Sequence, residues 1–175
     1  MKDWLGKVLM HWRFRAVAPE VRGRLLDLGC GTNQFVKRFD PPGIGVDVHP
    51  WENVDLVVED TARLPFESET FDTISIIAAL NHIPNREAVL AEAYRLLTPG
   101  GRVLITMIPP GISRVWHALR KPWDADQSER GMKEGEVYGL GRKAMRRLLE
   151  RVGFRVLKER HFMLGVNCIT VGVKE

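Results

Sequence analysis

The chain is poor in the residues and patterns that support several common kinds of protein. Its 175 residues include only two cysteines, Cys30 and Cys168, too few for a disulfide framework, and no cluster with the spacing of a metal site is present. The longest apolar run, residues 76–80, is far shorter than a membrane-spanning helix. The charged N-terminus lacks the apolar core of a signal peptide. We therefore expect a cytoplasmic protein with no transmembrane segment and no bound metal.

Two nucleotide-binding fingerprints are incomplete or missing. A short apolar run at residues 25–28 breaks into a Gly-x-Gly turn at Gly29 and Gly31, but Gln34 occupies the place of the third glycine of a dinucleotide fingerprint. No Gly-x4-Gly-Lys-Ser/Thr sequence occurs. The sequence therefore disfavours a dinucleotide and excludes a Walker-type phosphate site.

Acidic residues on two neighbouring predicted strands still indicate a nucleotide-like ligand. Asp27 precedes the glycine turn, and Asp47 follows twenty positions later at the end of the next predicted strand. In βαβ cofactor sites the glycines let the backbone approach the ligand, and an acid at the tip of the second strand binds the ribose hydroxyls. The pattern predicts a nucleotide-like ligand at the edge of a parallel sheet.

Hydrophobic periodicity predicts alternating strands and helices. Strands are expected near residues 24–28, 43–48, 54–58, 72–78, 102–108, 154–161 and 166–173, and helices near residues 3–17, 33–39, 85–97 and 141–152. This alternation predicts an α/β fold with a doubly wound, mostly parallel seven-stranded sheet, in a single domain covering residues 1–175. The last two strands have no helix between them, so they should form a C-terminal antiparallel hairpin.

Five motifs, in order, resemble those of the class I S-adenosylmethionine-dependent methyltransferases. They are Leu-Leu-Asp-Leu-Gly-Cys-Gly-Thr-Asn at 25–33, Gly-Val-Asp-Val at 45–48, Glu-Asp-Thr-Ala-Arg-Leu-Pro-Phe at 59–66, Phe-Asp-Thr-Ile-Ser-Ile-Ile at 71–77 and Leu-Thr-Pro-Gly-Gly-Arg-Val-Leu-Ile at 97–105. Asn33 stands where the family usually carries a third glycine, and Asn tolerates a left-handed backbone. The resemblance implies a small, type-11-like enzyme with a Rossmann-like fold, S-adenosyl-L-methionine as cofactor and S-adenosyl-L-homocysteine as product.

The resemblance also implies a set of cofactor-binding residues. Asp27 would orient the methionine ammonium, Asp47 would accept both ribose hydroxyls, and Asp60 would bind the adenine amino group. The other members of the set are Gly29, Cys30, Gly31, Val48, Thr61 and Ala78. For Asp27 and Asp60 the alternative interpretation is that each caps a helix or turn.

The signatures of nucleic-acid methylation are missing. Residues 80–84, after the predicted fourth strand, read Leu-Asn-His-Ile-Pro, which is neither the Asn/Asp-Pro-Pro-aromatic tetrad of amine methylation nor the Pro-Cys nucleophile of cytosine-carbon methylation. These absences favour a small-molecule acceptor over a nucleic acid. His82 is then the candidate catalytic base. A hydrogen bond within its own loop is the alternative role for this histidine.

Residues 109–140 interrupt the alternating pattern. A long connection of this kind is usually a functional lid or a disordered loop, and its aromatic residues argue against disorder. We predict a lid that supplies the acceptor pocket through Trp116, Trp123 and Tyr138. The alternative is a surface insertion whose aromatic residues fill a small core of their own.

The N-terminal segment, residues 1–23, is predicted to form an amphipathic helix. Trp4, Val8 and Trp12 mark its apolar face, and the basic side chains of Lys2, Lys7, Arg13 and Arg15 mark the opposite one. Docking on the sheet is the expected outcome. Contact with a membrane surface is the alternative, because such helices combine tryptophan with basic residues.

Charge is distributed unevenly along the chain. Residues 25–110 hold 6 Lys and Arg against 12 Asp and Glu, a net charge of −6, whereas residues 1–24 and 111–160 together hold 19 against 9, a net charge of +10. An acidic centre suits a cationic cofactor and a basic rim suits an anionic acceptor, although solvated charged faces give the same counts. A non-catalytic cofactor-binding regulatory module and an aminopropyl-transfer enzyme remain as alternative functions.

Overall fold

The computed structural model describes residues 4–111, 135–137 and 139–175. These residues contain a seven-stranded sheet in the order β3-β2-β1-β4-β5-β7-β6. The strands are β1 (Leu25–Leu28), β2 (Ile44–Asp47), β3 (Leu56–Val57), β4 (Phe71–Ile77), β5 (Leu97–Met107), β6 (Phe154–Phe162) and β7 (Asn167–Lys174). Strands β1 to β5 pair in parallel, and β7 is antiparallel to both β5 and β6. The predicted mostly parallel sheet with a C-terminal antiparallel hairpin is confirmed.

Two hydrophobic clusters cover the two faces of this sheet. Side chains alternate between faces along each strand, so Leu26 and Ile74 belong to one cluster and Leu25 and Leu104 to the other. Helices α2 (Arg86–Leu96) and α3 (Arg142–Val152) pack on the first face, and helix α1 (Trp4–Val17) packs on the second. Within the described residues, no helix is long and apolar enough to span a membrane.

Helix α1 docks on the sheet as expected, but through a different face. Phe14 and Val17 are buried in the second cluster, and Met10 packs against it. Trp12, which the sequence placed on the apolar face, is 48% exposed. Arg13, placed on the basic face, is partly buried, and burial lowers its pKa to about 10. Positions 10, 14 and 17 follow helical spacing, so the stripe they form meets the sheet.

The prediction of a helix at residues 33–39 is wrong. Only a short 3-10 turn, Val36–Arg38, forms there. The left-handed residues of the glycine turn occupy the start of the segment, and Pro41 and Pro42 follow directly, so no room is left for a regular helix. Phe35 and Val36 are nevertheless buried in the second cluster, where they replace the missing helix as cover for β1.

Other boundaries differ by smaller amounts. The strand predicted at 54–58 is reduced to β3, and the strand predicted at 102–108 begins earlier, at Leu97. Helix α2 ends at Leu96, before the Pro-Gly-Gly sequence that was expected to stop it. At the end of α3, Gly153 adopts the predicted left-handed cap, with φ of 109°.

A polar network around Asp55 stabilises the connections that lack helices. Asn33 adopts φ of 56°, and its Nδ2 donates to the Asn53 carbonyl oxygen at 2.7 Å and to Asp55 Oδ2 at 2.8 Å. Asp55 also accepts bonds from the Gly45 amide at 2.8 Å and Lys37 Nζ at 2.6 Å. Burial alone would raise the pKa of Asp55, but these bonds lower it below its ordinary value. Asn33 therefore fixes the glycine turn to the chain around β2.

Gly45 makes room for this network, which predicts a large cost for a side chain there. A Cβ on Gly45 would lie 1.8 Å from Asn33 Oδ1. We expect Gly45→Ala to lower the free energy of unfolding by about 2–3 kcal/mol through overpacking. Gly100→Ala is the control, because a Cβ there meets open space and only its φ of 78° opposes the change. Equal losses for both variants in urea unfolding would contradict the prediction.

The two ends of the connection after β5 lie close together. A Cβ on Gly139 would lie 2.2 Å from the carbonyl oxygen of Ile108, directly after β5. The chain therefore leaves the sheet and returns to it at nearly the same point. The three residues predicted to form the acceptor pocket, Trp116, Trp123 and Tyr138, all lie outside the described residues.

Candidate functional site

The glycine turn follows β1 at the carboxyl edge of the sheet. The amides of Gly29 and Cys30 both donate to the carbonyl oxygen of Val46, at 2.9 and 3.1 Å, and so attach the turn to β2. Gly29 and Gly31 have φ of 71° and 55°, which side chains rarely adopt. A Cβ on Gly29 would lie 2.6 Å from Ala79 Cβ, whereas a Cβ on Gly31 would meet open space. The turn is therefore packed on one side and accessible on the other.

Asp47 joins the turn to the end of β2. Its Oδ2 accepts the Gly31 amide at 2.9 Å and its Oδ1 accepts the His49 amide at 3.0 Å. A carboxylate offers about four lone-pair sites, so each oxygen keeps the capacity for a further bond. The two sequence motifs thus meet at one buried acid beside the open side of the turn.

Asp27 is buried beneath the turn. The hydroxyl of Ser75 on β4 donates to its Oδ1 at 2.5 Å. Burial raises the pKa of Asp27 to about 7; the Ser75 bond opposes this shift and the charge of Asp47 adds to it. A carboxylate under these conditions is stabilised by a cation placed beside it. The expected contact with a ligand ammonium fits this environment and stays a prediction.

The raised pKa of Asp27 predicts a stability that depends on pH. Between the ordinary carboxyl value and about 7, the folded protein binds a proton that the unfolded chain has lost, so stability falls as pH rises through this window. Asp27→Asn should remove this cost and raise the free energy of unfolding near pH 8 by on the order of 2 kcal/mol. The gain should shrink towards about pH 4. A gain that is the same at both pH values in urea unfolding would contradict the prediction.

The carboxylate of Asp60 accepts hydrogen bonds from its own turn and from Asn85. Its Oδ1 accepts the Ala62 amide at 2.8 Å, and both carboxylate oxygens accept Asn85 Nδ2, at 3.1 and 3.0 Å. The capping role considered for this residue is therefore present, and contact with an adenine amino group stays a prediction. The neighbouring Thr61 is buried, and Val48, beyond β2, is 55% exposed.

Ala78 ends β4 in a strained conformation. Its φ is 54°, and its amide donates to Thr106 Oγ1 at 3.0 Å. Residues other than glycine held in the left-handed region cluster at functional sites. The predicted role of its carbonyl group towards a ligand ammonium agrees with this position but is not tested by it.

Cys30, inside the glycine turn, has an unreactive thiol. Burial, followed by the charges of Asp27, Asp47 and Asp55, raises its pKa to about 12. The neutral thiol is a poor nucleophile, so Cys30 can contribute only packing or backbone contacts. The described residues contain no group of acids, histidines and cysteines able to hold a metal ion.

His82 lies in the 3-10 turn Leu80–His82, directly after β4. Its amide donates to the carbonyl oxygen of Ala79, the residue that packs against Gly29. The imidazole is partly exposed, and its Nδ1 lies 3.6 Å from Glu136 Oε2. The 3-10 turn therefore lies next to the glycine turn, and the catalytic role of His82 stays a prediction.

Two residues of this region were missed by sequence reasoning. Glu136 carried no distinguishing signal in the sequence, because acidic residues are common in its segment. Trp51 packs against His49, with ring centroids 4.2 Å apart and the ring planes tilted by 56°, and is 38% exposed just beyond Asp47. An aromatic residue soon after the acid of β2 was a signal that could have been used.

Several basic side chains are already paired. Arg142 and Arg146 share Glu159, at 3.2 and 2.7 Å, and Lys158 and Arg102 share Glu20, at 2.5 and 3.6 Å. Of these basic residues, Arg142, Arg146 and Lys158 belong to the positive charge outside the acidic centre, which the pairs neutralise in part. An anionic acceptor stays a prediction.

The arrangement fits S-adenosylmethionine. Gly31 leaves open space where a Cβ would stand, the Asp47 carboxylate has lone pairs left for two hydroxyls, and the buried carboxylate of Asp27 would be stabilised by a positive charge placed beside it. Asp47 would thus hold the ribose and Asp27 the amino-acid portion. This donor set matches a cationic nucleoside and lacks the phosphate-binding residues of a dinucleotide site.

Comparison with known sequences decides the family. The chain matches the model of a family described as a methyltransferase domain over residues 1–159. The chain belongs to this methyltransferase family. The resemblance seen in its motifs is therefore confirmed.

Curated relatives of this methyltransferase-domain chain include enzymes named for quinone methylation. It is 38% identical over 112 residues to the demethylmenaquinone methyltransferase of Streptomyces griseus, covering 54% of the chain and 47% of that relative. It is 28% identical over 188 aligned positions to the ubiquinone/menaquinone biosynthesis C-methyltransferase UbiE of Burkholderia mallei, covering 87% and 75%. The chain thus spans about half the length of the first curated relatives it matches.

Solved structures support the fold of the methyltransferase domain. An S-adenosylmethionine-dependent methyltransferase from Mesorhizobium loti superposes with a TM-score of 0.65 at 18% identity, covering 92% of this chain and 95% of that one. At this identity the similarity concerns the fold. The expected Rossmann-like methyltransferase fold is confirmed.

Proposed function

We propose that the chain binds S-adenosylmethionine and transfers its methyl group to a ring carbon of a small quinone-class acceptor in the hydroquinone form. The observation that carries the cofactor part is the contact between the Gly31 amide and Asp47, beside the buried Asp27. The acceptor class is supported by the names of the two curated relatives.

The protein's part in this reaction is mainly orientation. When bound, S-adenosylmethionine would supply a methyl group attached to a sulfonium sulfur. The bond between the methyl carbon and sulfur breaks as the bond to the ring carbon forms, and the leaving product is S-adenosylhomocysteine. Asp47 binds the ribose, Asp27 binds the ammonium group, and the glycine turn lets the backbone approach the ligand closely. Such positioning turns a bimolecular step into an effectively unimolecular one.

His82 serves as the base in this proposal. A neutral hydroquinone carbon is a weak nucleophile, and removal of its phenolic proton places the electron pair in conjugation with the ring. The proton moves to the imidazole, and the ring carbon forms its bond to the methyl group. That carbon then loses its hydrogen as a proton to solvent, which restores the aromatic phenolate, and the phenolate oxygen takes up a proton from solvent. His82 lies at the end of β4, where Ala79 contacts the glycine turn.

Transfer of labelled methyl tests the proposed function. The chain is incubated with methyl-labelled S-adenosylmethionine and a naphthohydroquinone that carries hydrogen at the position to be methylated; the control is the same compound already methylated there. Label on carbon in the first compound alone supports the proposal. Label on oxygen, or binding of S-adenosylmethionine without transfer to the hydroquinone, contradicts it, and the second result favours a non-catalytic cofactor-binding module.

A further inference from the structure

Residues 135–137, near the end of the connection after β5, are hydrogen-bonded to the 3-10 turn that carries His82. The amide of Val137 donates to the carbonyl oxygen of Asn81 at 3.0 Å, and Arg86 Nη2 donates to that of Gly135 at 2.5 Å. Arg86 Nε also donates to the carbonyl oxygen of Leu80 at 3.2 Å. Arg86 thus connects the turn after β4 to residues 135–137, and the two segments form one unit.

Glu136 projects from this unit towards His82. Its side chain is only 3% exposed, and its Oε2 lies 3.6 Å from His82 Nδ1. Its charge also affects Arg86. Burial lowers the pKa of Arg86, and the negative charge of Glu136 partly opposes this shift. A buried carboxylate is costly unless charged or polar groups act on it, and the positive charge of Arg86 and the nearby imidazole of His82 both do so.

We propose that Glu136 is a positioning residue for His82. It holds the imidazole with a proton on Nδ1, so that Nε2 presents its lone pair to the acceptor. The protonation of one ring nitrogen of a histidine is set by the partner of the other, and a carboxylate at Nδ1 selects this tautomer. The contact of 3.6 Å is longer than a hydrogen bond, and contacts of this kind tighten when substrate binds.

The role of Glu136 rests on the proposed function. The phenolic O–H bond of the acceptor breaks, its proton forms a bond to Nε2, and the electron pair stays on the phenolate oxygen. The resulting imidazolium lies beside the Glu136 carboxylate, which offsets its charge. Because 45% of the His82 side chain is exposed, the proton returns to solvent after transfer.

Nitrogen-15 NMR of the imidazoles tests this role without an acceptor. His82→Ala identifies the His82 signals, and His11, an exposed histidine of α1, serves as internal reference. In the wild type we expect the neutral imidazole of His82 to carry its proton predominantly on Nδ1. In Glu136→Ala, which removes the acceptor at Nδ1, the tautomer ratio should move to that of His11, while Glu150→Ala, on α3, should keep the wild-type ratio. A ratio unchanged in Glu136→Ala overturns the proposal.

Steady-state kinetics with the hydroquinone give the second readout. We expect Glu136→Gln to lower kcat at least tenfold with little change in KM, since the residue acts through His82 and does not bind the acceptor. Glu136→Asp, which keeps the charge, should recover part of the loss. An unchanged kcat in Glu136→Gln overturns the positioning role and leaves the proposed function standing. Absence of wild-type transfer overturns the proposed function, and the NMR ratio then decides the role of Glu136 alone.

Discussion

Replacement of Asp47 by alanine is expected to weaken binding of S-adenosylmethionine by about 10- to 100-fold, or roughly 1.5–3 kcal/mol, the usual range for hydrogen bonds to a charged group. In the proposed binding mode the carboxylate accepts bonds from two ribose hydroxyls, and in the structure it accepts the Gly31 amide at 2.9 Å. Its loss therefore removes ligand contacts and loosens the glycine turn together. Isothermal titration calorimetry measures the change.

Asp47→Asn separates these two effects. The amide oxygen can still accept one of the bonds from Gly31 or His49, so the fold of the turn is largely kept while the charge is lost. We expect an affinity between those of the wild type and Asp47→Ala. Unchanged affinity in Asp47→Ala, or tight binding of NADH by the wild type, would show that the cofactor is wrongly assigned.

Replacement of His82 by alanine is expected to reduce turnover by about 100- to 10,000-fold, the range typical of a general base. Affinity for S-adenosylmethionine should stay close to that of the wild type, because the assigned cofactor contacts are made by other residues. The measurement is kcat for labelled methyl transfer to the hydroquinone.

His11→Ala is the matched control for His82→Ala, since His11 is an exposed histidine on α1, which packs on the opposite face from α2. It should retain full turnover. A His82→Ala variant with more than a third of wild-type kcat would mean that the histidine only contributes to its loop, as the alternative interpretation holds.

The sheet was predictable because its determinants are local. Alternating apolar strands, Gly153 at the end of α3 and the missing helix between β6 and β7 each specify one feature without reference to distant residues. The order of acids and glycines along the chain likewise placed Asp27, Gly31 and Asp47 at the edge where they now meet. Residue spacing alone was sufficient for these features.

The missed features depend on long-range contacts. The segment 33–39 looks helical, but Asn33 bonds to Asp55, 22 residues away, and this contact favours a different path. Glu136 gains its significance only from a histidine 54 positions earlier. The buried face of α1 depends on which side meets Leu104 and Ile169, and a single helix does not encode that choice. Tertiary contacts decide such cases.

The close approach of Gly139 to Ile108 has a consequence for divergence within the family. A loop whose ends are already joined changes its closure entropy slowly with length, by about 0.6 kcal/mol for each doubling. Insertions and deletions between residues 111 and 135 should therefore cost the sheet little stability, so long as the ends and residues 135–137 keep their positions. Under the proposed function, exchanging this stretch would change the acceptor and leave the glycine turn and Asp47 in place.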